Sequence, residues 1–218
     1  MAERPVFIPN CTGPRLVDEV MVDFKWHPGM SASQKMKNVD ALHEAAMRRG
    51  LGPLLEVSSK SAAQTGKKLS AFSLQVPYRD RTIPLECAFQ GSKVFEKGGP
   101  FTDLYDVDAR TAKRDPRLRE SGRLTGFSFE GERFPLVPAT AFYDWLYFRA
   151  LSPYLDFIER VGDSCVAFTD IEFNPQKSIA CQARSLALVI SLLRRKLTGQ
   201  ASESFTAFKN LMTDKAAI

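Results

Sequence analysis

Histidine is scarce in this 218-residue chain: there are two, His27 and His43, far apart in sequence. A His-rich metal site or a nucleophile served by a histidine base therefore has little material to be built from. The four cysteines, Cys11, Cys87, Cys165 and Cys181, form no Cys-x-x-Cys pair and share no short spacing. That pattern, in a chain of this length, argues against a cystine scaffold and for reduced thiols in a cytosol. No window approaches eighteen apolar residues, and the opening Met1 to Pro9 lacks a basic region followed by an apolar stretch. A soluble, cytoplasmic protein with no export or anchoring signal is expected. Glycine-rich phosphate loops are also missing, because Gly98-Gly99 follows an expected helix and reads as its stop. Nothing in the sequence calls for a metal or a cofactor.

The residues that are present describe an ordinary globular chain, 44% hydrophobic and 25% charged. A domain of this size buries roughly 70% of the surface its unfolded chain exposes, so neither a disulfide nor a structural metal is needed to hold it. The net charge is +5, from 30 lysines and arginines against 25 acidic residues. An excess of that size permits a polyanionic partner without requiring one. It is concentrated between residues 110 and 123, where Arg110, Lys113, Arg114, Arg117, Arg119 and Arg123 face only Asp115 and Glu120 in sequence. A solvated face and a strip for phosphates are both consistent with such a run.

Periodicity and punctuation predict one α+β domain, dominated by helices with a few short strands. The first thirty residues, carrying Pro5, Pro9, Pro14 and Pro28, read as short extended segments. A helix is expected over 34–49, with Ser31 and Gln34 as a capping box and Gly50 as the stop; His43 lies beside its apolar stripe as a boundary histidine. Leu54 to Lys60 and Leu69 to Leu74 read as strands, and Pro84 opens a helix continuing through Phe95 to Gly98-Gly99-Pro100. Helices are expected over 139–150 and 154–161, a strand over 166–173, and a long helix from Ser178 to Lys196 with Ile179, Ala183, Leu186, Ile190 and Leu193 on one face.

Three stretches carry more polar chemistry than packing requires. Glu86, Gln90 and Lys93 fall at i, i+4 and i+7 of the expected helix after Pro84. They form either a solvated face or a site, and the place of Glu86 in the first turn, where the helix dipole favours a carboxylate, supports the second reading. Lys60, in Ser58-Ser59-Lys60-Ser61, either points to water or offers an amine to an electrophilic carbon or a phosphate. Asp170, Glu172, Asn174 and Lys177 crowd a strand-to-helix passage, as turn and cap residues or as an anion site. In the aromatic segment Phe142-Tyr143-Asp144-Trp145-Leu146-Tyr147 most rings belong to a core, with one or two available to stack on a base. These residues alone do not name a substrate.

Leu69-Ser70-Ala71-Phe72, followed fourteen residues later by Glu86-Cys87-Ala88-Phe89-Gln90-Gly91-Ser92-Lys93, resembles the NADAR (YbiA-like) family, in which a Ser-Asn-Phe element precedes a Ser/Thr-Glu-His-x-Phe-Gln-x-x-Lys helix. The phrases Leu-Glu-Val-Ser-Ser-Lys-Ser (55–61), Gly-Gly-Pro-Phe-Thr-Asp-Leu-Tyr (98–105), Ala-Phe-Tyr-Asp-Trp-Leu-Tyr (141–147) and Phe-Thr-Asp-Ile-Glu-Phe-Asn-Pro-Gln-Lys-Ser (168–178) are similar to the branch that serves as antitoxin to DarT-type DNA ADP-ribosyltransferases. Ala71 stands where the family has Asn, and Cys87 where it has His. The resemblance implies a single NADAR-like α+β domain over 1–218, with 1–50 particular to the branch and 51–200 as its core.

It also implies an N-glycosidase that removes ADP-ribose from guanine bases in DNA, with ADP-ribosylated DNA as substrate, the cognate toxin as functional partner, and no cofactor. Glu86, Lys60 and Asp170 are then the catalytic candidates. Ser59, Ser70, Phe72, Gln90, Lys93, Tyr143, Trp145, Asn174 and Lys177 are the substrate-binding candidates, and the basic residues of 110–123 are the DNA-binding ones. The competing class is a non-catalytic module that binds nucleic acid or toxin. A third is a glycosidase of small ADP-ribose metabolites, for which the basic run would have no use.

Overall fold

The computed structural model describes residues 1–176 and 178–213. They form two compact units, the first from Met1–Ser70 and Tyr154–Ile218, the second from Ala71–Pro153.

The chain opens with β1 (Ala2–Pro9) and β2 (Val17–Phe24), which pair antiparallel along their whole length. Asn10 shapes the connection by accepting the N–H groups of Thr12 and Gly13, and the Arg195 guanidinium donates to the carbonyls of Asn10, Gly13 and Arg15. Helix α1 (Ala32–Arg48) starts two residues before the expected 34, directly after its expected cap: the Ser31 hydroxyl accepts the Gln34 N–H, and Gly50 takes positive φ just beyond the other end. Its buried face, Val39, Leu42, Ala45 and Ala46, packs on Val6, Val22 and Phe24 of the strands. Then come β3 (Leu54–Glu56) and a short α2 (Gln64–Lys68).

The second unit holds a hairpin of β4 (Gln75–Tyr78) and β5 (Arg81–Pro84), then α3 (Leu85–Gly91). After β6 (Lys93–Phe95) come a 3₁₀ turn over Thr102–Asp106, α4 (Ala109–Arg114) and α5 (Arg117–Glu120). Next, β7 (Leu124–Phe129) and β8 (Glu132–Phe134) complete an antiparallel sheet with β6, and α6 (Ala141–Leu151) closes the unit. The core is aromatic: the Phe142 ring lies 4.5 Å from Phe127 and 4.8 Å from Phe134, and Tyr143 meets Phe89 edge-on at 4.9 Å.

The chain then returns to the first unit with α7 (Leu155–Ser164) and β9 (Ala167–Thr169). β9 enters the sheet between β1 and β3, antiparallel to the first and parallel to the second, in the order β2-β1-β9-β3. Helix α8 (Gln182–Arg194) is buried nearly all round, and α9 (Thr198–Glu203) and α10 (Phe205–Thr213) follow.

The architecture is α+β, as expected, and several local readings change. The helix after Pro84 ends at Gly91, because the Ser92 hydroxyl returns to the Ala88 carbonyl and Lys93–Phe95 is claimed by β7 as a strand partner. Gly98-Gly99 therefore follows a strand, and Phe95 N–H bonds to Gly98 O. Leu69 to Leu74 is a turn leading into β4 rather than a strand, and part of the loop before it is α2. The strand expected over 166–173 shortens to β9, and the last long helix starts at Gln182, which leaves Ile179 exposed. All four cysteines are free thiols. Among the described residues no helix is long and apolar enough to cross a membrane.

Candidate functional site

In the second unit, the first turn of α3 tethers Glu86 by its backbone, whose N–H donates to the Ala71 carbonyl. Glu86 is 5% exposed. Gln90 Nε2 donates to Glu86 Oε1 at 2.8 Å, and Lys93 Nζ donates to Gln90 Oε1 at 2.6 Å. The three residues so form a directed chain, with the middle amide oriented by a donor on one side and an acceptor on the other. Shortening the helix does not break it, since Lys93 at the start of β6 reaches back one turn. Lys93 also sits 4.8 Å from the Phe89 ring centroid, and burial pushes its amine down to about 8, with the Lys113 charge adding to the fall and Glu86 opposing it.

Lys113, on α4, is exposed but reaches this chain from outside. Its Nζ lies 3.7 Å from Glu86 Oε1 and 5.3 Å from the ring centroid of exposed Phe72. Phe72, Glu86, Gln90, Lys93 and Lys113 thus share one locality, with a carboxylate, two amines and an aromatic face. Cys87 faces away: its thiol donates to the Val107 carbonyl at 3.2 Å and is pushed up to about 11, chiefly by burial, so it is no nucleophile at neutral pH.

The remaining basic residues divide. Arg117 is held by Asp103 and Asp115 at 2.6 and 2.8 Å, and Arg123 by Glu96 at 3.1 Å. Arg110, Arg114 and Arg119 are exposed and make no ion pair among the described residues. Tyr143 is buried against Phe89, and Trp145 packs on Phe134 at 5.1 Å with the Arg149 guanidinium 4.9 Å from its ring. Both rings belong to the aromatic core, which leaves Phe72 as the exposed aromatic beside Glu86.

The first unit carries a second polar cluster, where β3 and β9 run parallel with Glu56 opposite Thr169. Beyond β9, Asp170 is 7% exposed and accepts the Glu172 N–H. Lys60, half-buried, donates its backbone N–H to Ser58 Oγ, and Ser59 beside it is exposed. Ser70 is buried, its hydroxyl donating to the Lys67 carbonyl. Asn174 accepts the Gln176 N–H in a turn, and Lys177 lies outside the described residues.

Glu56 is the group that sequence reasoning misses. It is 2% exposed, and accepts from the Ser58 hydroxyl, the Ile171 N–H and the Thr169 hydroxyl. Its signal was a glutamate inside an apolar strand, Leu54-Leu55-Glu56-Val57. Its carboxyl is raised to about 8, by burial first and then by the Asp170 charge, against the three hydrogen bonds. His43 Nε2 lies 2.8 Å from Thr169 Oγ1, and burial lowers the imidazole from its ordinary value. Among the described residues no three His, Cys, Asp or Glu side chains are grouped to hold a metal ion.

The α+β chain thus carries one polar cluster in each unit, around Glu86 in the second and around Glu56 in the first. The family model of the DarT1-associated NADAR antitoxin matches residues 2–217, and the chain belongs to that family. No curated protein matches it.

Proposed function

We propose that this antitoxin is an N-glycosidase that removes ADP-ribose from guanine bases in DNA, and so reverses the modification made by its partner toxin. The observation that carries the reading is the Lys93–Gln90–Glu86 chain, with Lys113 on the same carboxylate. A solvated face has no need to bury a carboxylate and order three polar side chains, whereas glycosidic cleavage does need them. Breaking the bond between the ribose anomeric carbon and the exocyclic guanine nitrogen leaves positive character on the carbon and requires a proton on the departing nitrogen.

Glu86 is assigned the proton handling: it takes the proton of the attacking nucleophile and returns it to the guanine amine. Lys93, Gln90 and Lys113 order this carboxylate and offer donors to ribose hydroxyls and the diphosphate. Phe72 is exposed and rimmed by Lys113, a suitable face for a base. In the first unit, Asp170 is assigned to stabilise the cation or orient water. The Lys60 amine either attacks the anomeric carbon, giving a ring-opened imine that water later hydrolyses to ADP-ribose, or holds phosphate. Ser59 and Asn174 accompany them as binding groups.

Purified protein incubated with guanine-ADP-ribosylated single-stranded DNA is expected to release free ADP-ribose and unmodified DNA. Glu86→Ala is expected to lower kcat by roughly 10²–10⁴, the range of a positioned proton-transfer group. Absence of release by the wild-type protein removes the reading, and full activity in Glu86→Ala removes Glu86 from its role. Borohydride trapping that leaves an adduct on Lys60 selects the imine route.

A further inference from the structure

Glu56 has no part in the roles just assigned, yet one carboxyl group reaches both first-unit candidates. Oε1 accepts the Ser58 hydroxyl at 2.5 Å and the Ile171 N–H at 2.9 Å, and Ser58 Oγ itself accepts the Lys60 N–H at 3.1 Å. Lys60 is thus one hydroxyl away from Glu56, and Asp170 is one peptide away. The parallel pairing of β3 and β9, with Glu56 opposite Thr169, brings both turns out at the C-terminal ends of the two strands. That is the end of parallel strands where ligands are bound in α/β sheets. We propose that Glu56 is a positioning residue, locking the Lys60 turn to the Asp170 turn through Ser58 and Ile171; the role rests on the glycosidase reading above.

The same geometry makes the lock dependent on protonation. With its carboxyl raised to about 8, Glu56 is neutral near pH 7. As a carboxylate Glu56 accepts the Thr169 hydroxyl at Oε2; protonated there it donates to Thr169 Oγ1 instead, which frees the Thr169 hydroxyl to donate to Nε2 of the neutral His43. Three other titratable groups face this cluster: Asp170 beyond β9, Cys181 ahead of α8, whose buried thiol is also raised, and Arg4 of β1, which interacts with Asp170. Ionisation of Glu56 sets a second negative charge beside Asp170 inside the fold, a repulsion between the two turns that opposes the hydrogen bonds from Ser58, Ile171 and Thr169. A glutamine at position 56 reproduces the neutral acid: its carbonyl keeps Ser58 and Ile171, and its amide donates to Thr169.

The test uses full-length wild type, Glu56→Gln and Glu56→Ala. It measures ADP-ribose release from modified single-stranded DNA between pH 6 and 9.5, amide hydrogen exchange, and melting. Glu56→Gln is expected to keep kcat within about threefold of wild type at pH 7 and to lack the wild-type fall above pH 8 that Glu56 ionisation causes. Glu56→Ala is expected to lose more than about tenfold in kcat with KM changed less than about threefold. Exchange at the Lys60 and Ile171 amides should rise at least about tenfold in the alanine variant and stay at the wild-type rate in the glutamine variant.

A glutamine variant as slow as the alanine one, an unchanged alkaline limb in Glu56→Gln, or unchanged exchange at both amides in Glu56→Ala overturns the proposal. Should the alanine variant not fold, the pH profile of Glu56→Gln decides. Should wild type release no ADP-ribose, the glycosidase reading fails, and the exchange comparison still decides whether Glu56 holds the two turns.

Discussion

At the scale of the residue, Lys93 stands where burial opposes its charge. Its amine is lowered to about 8 in the folded chain, well below the value of an exposed lysine. The unfolded chain therefore binds more protons from about pH 8 to 10.4, and stability rises with pH through that window. Lys93→Met keeps the length of the side chain and removes the charge. Urea midpoints are expected to show the methionine variant more stable than wild type at pH 7, with the gain shrinking toward pH 10, while substrate binding weakens. A midpoint lower than wild type across the whole range would show that Gln90, deprived of its donor, costs more than the buried charge. Glu56 has the opposite sign. A carboxyl raised to about 8 from its ordinary value of about 4.5 contributes stability that is complete below about pH 4.5 and is lost as pH climbs to 8. Glu56→Gln is expected to flatten that part of the wild-type stability profile.

At the scale of the element, short segments depend on long-range partners. Gly66 in α2 has an ordinary helical φ; what matters is space, because a Cβ there would overlap the Glu56 carbonyl oxygen and the Ser61 hydroxyl. Gly66→Ala is expected to destabilise the protein by about 1–3 kcal/mol, the range for overpacking, as read by thermal melting. It should also disturb the Lys60 turn that lies between these contacts. The elements that are legible in the sequence are those with local signals. Helix α1 carries its own cap and stop at Ser31 and Gly50, α7 carries strong periodicity, and α6 shows as an unbroken aromatic and apolar run. The end of α3 is not legible: nothing local distinguishes Lys93-Val94-Phe95 as strand until β7 arrives to pair with it. The site divides in the same way. Glu86, Gln90 and Lys93 follow one another at i, i+4 and i+7 and can be read together, whereas Glu56 acquires its meaning from Thr169, 113 residues further on.

At the scale of the whole molecule, the charge excess resolves into paired and unpaired parts. Arg117 and Arg123 are committed to acidic partners and Lys113 to Glu86, so Arg110, Arg114 and Arg119 are the members of the run left to meet a polyanion. Changing these three to glutamate is expected to weaken turnover of modified DNA at least about tenfold more than turnover of a modified mononucleotide, and to flatten the salt dependence of DNA binding. Equal losses on both substrates would assign the run to a solvated face. Titrating antitoxin against a fixed amount of modified DNA separates catalysis from occlusion, since an occluding protein neutralises only in proportion to its own amount.

The position of β9 has a consequence for how the chain comes together in time. This strand lies inside the first unit's sheet, between β1 and β3, yet it is encoded after the whole of the second unit. A ribosome that has made residues 1–70 has produced two sheet fragments with the strand that joins them still unmade, and Glu56 has its Ser58 donor but waits for those of Thr169 and Ile171. The second unit, contiguous in sequence, needs no such delay. Pulse-labelled refolding of the full chain is expected to protect the amides of β6 and β7 before those of β3 and β9, so that the last strand to be written is the one that closes the first sheet.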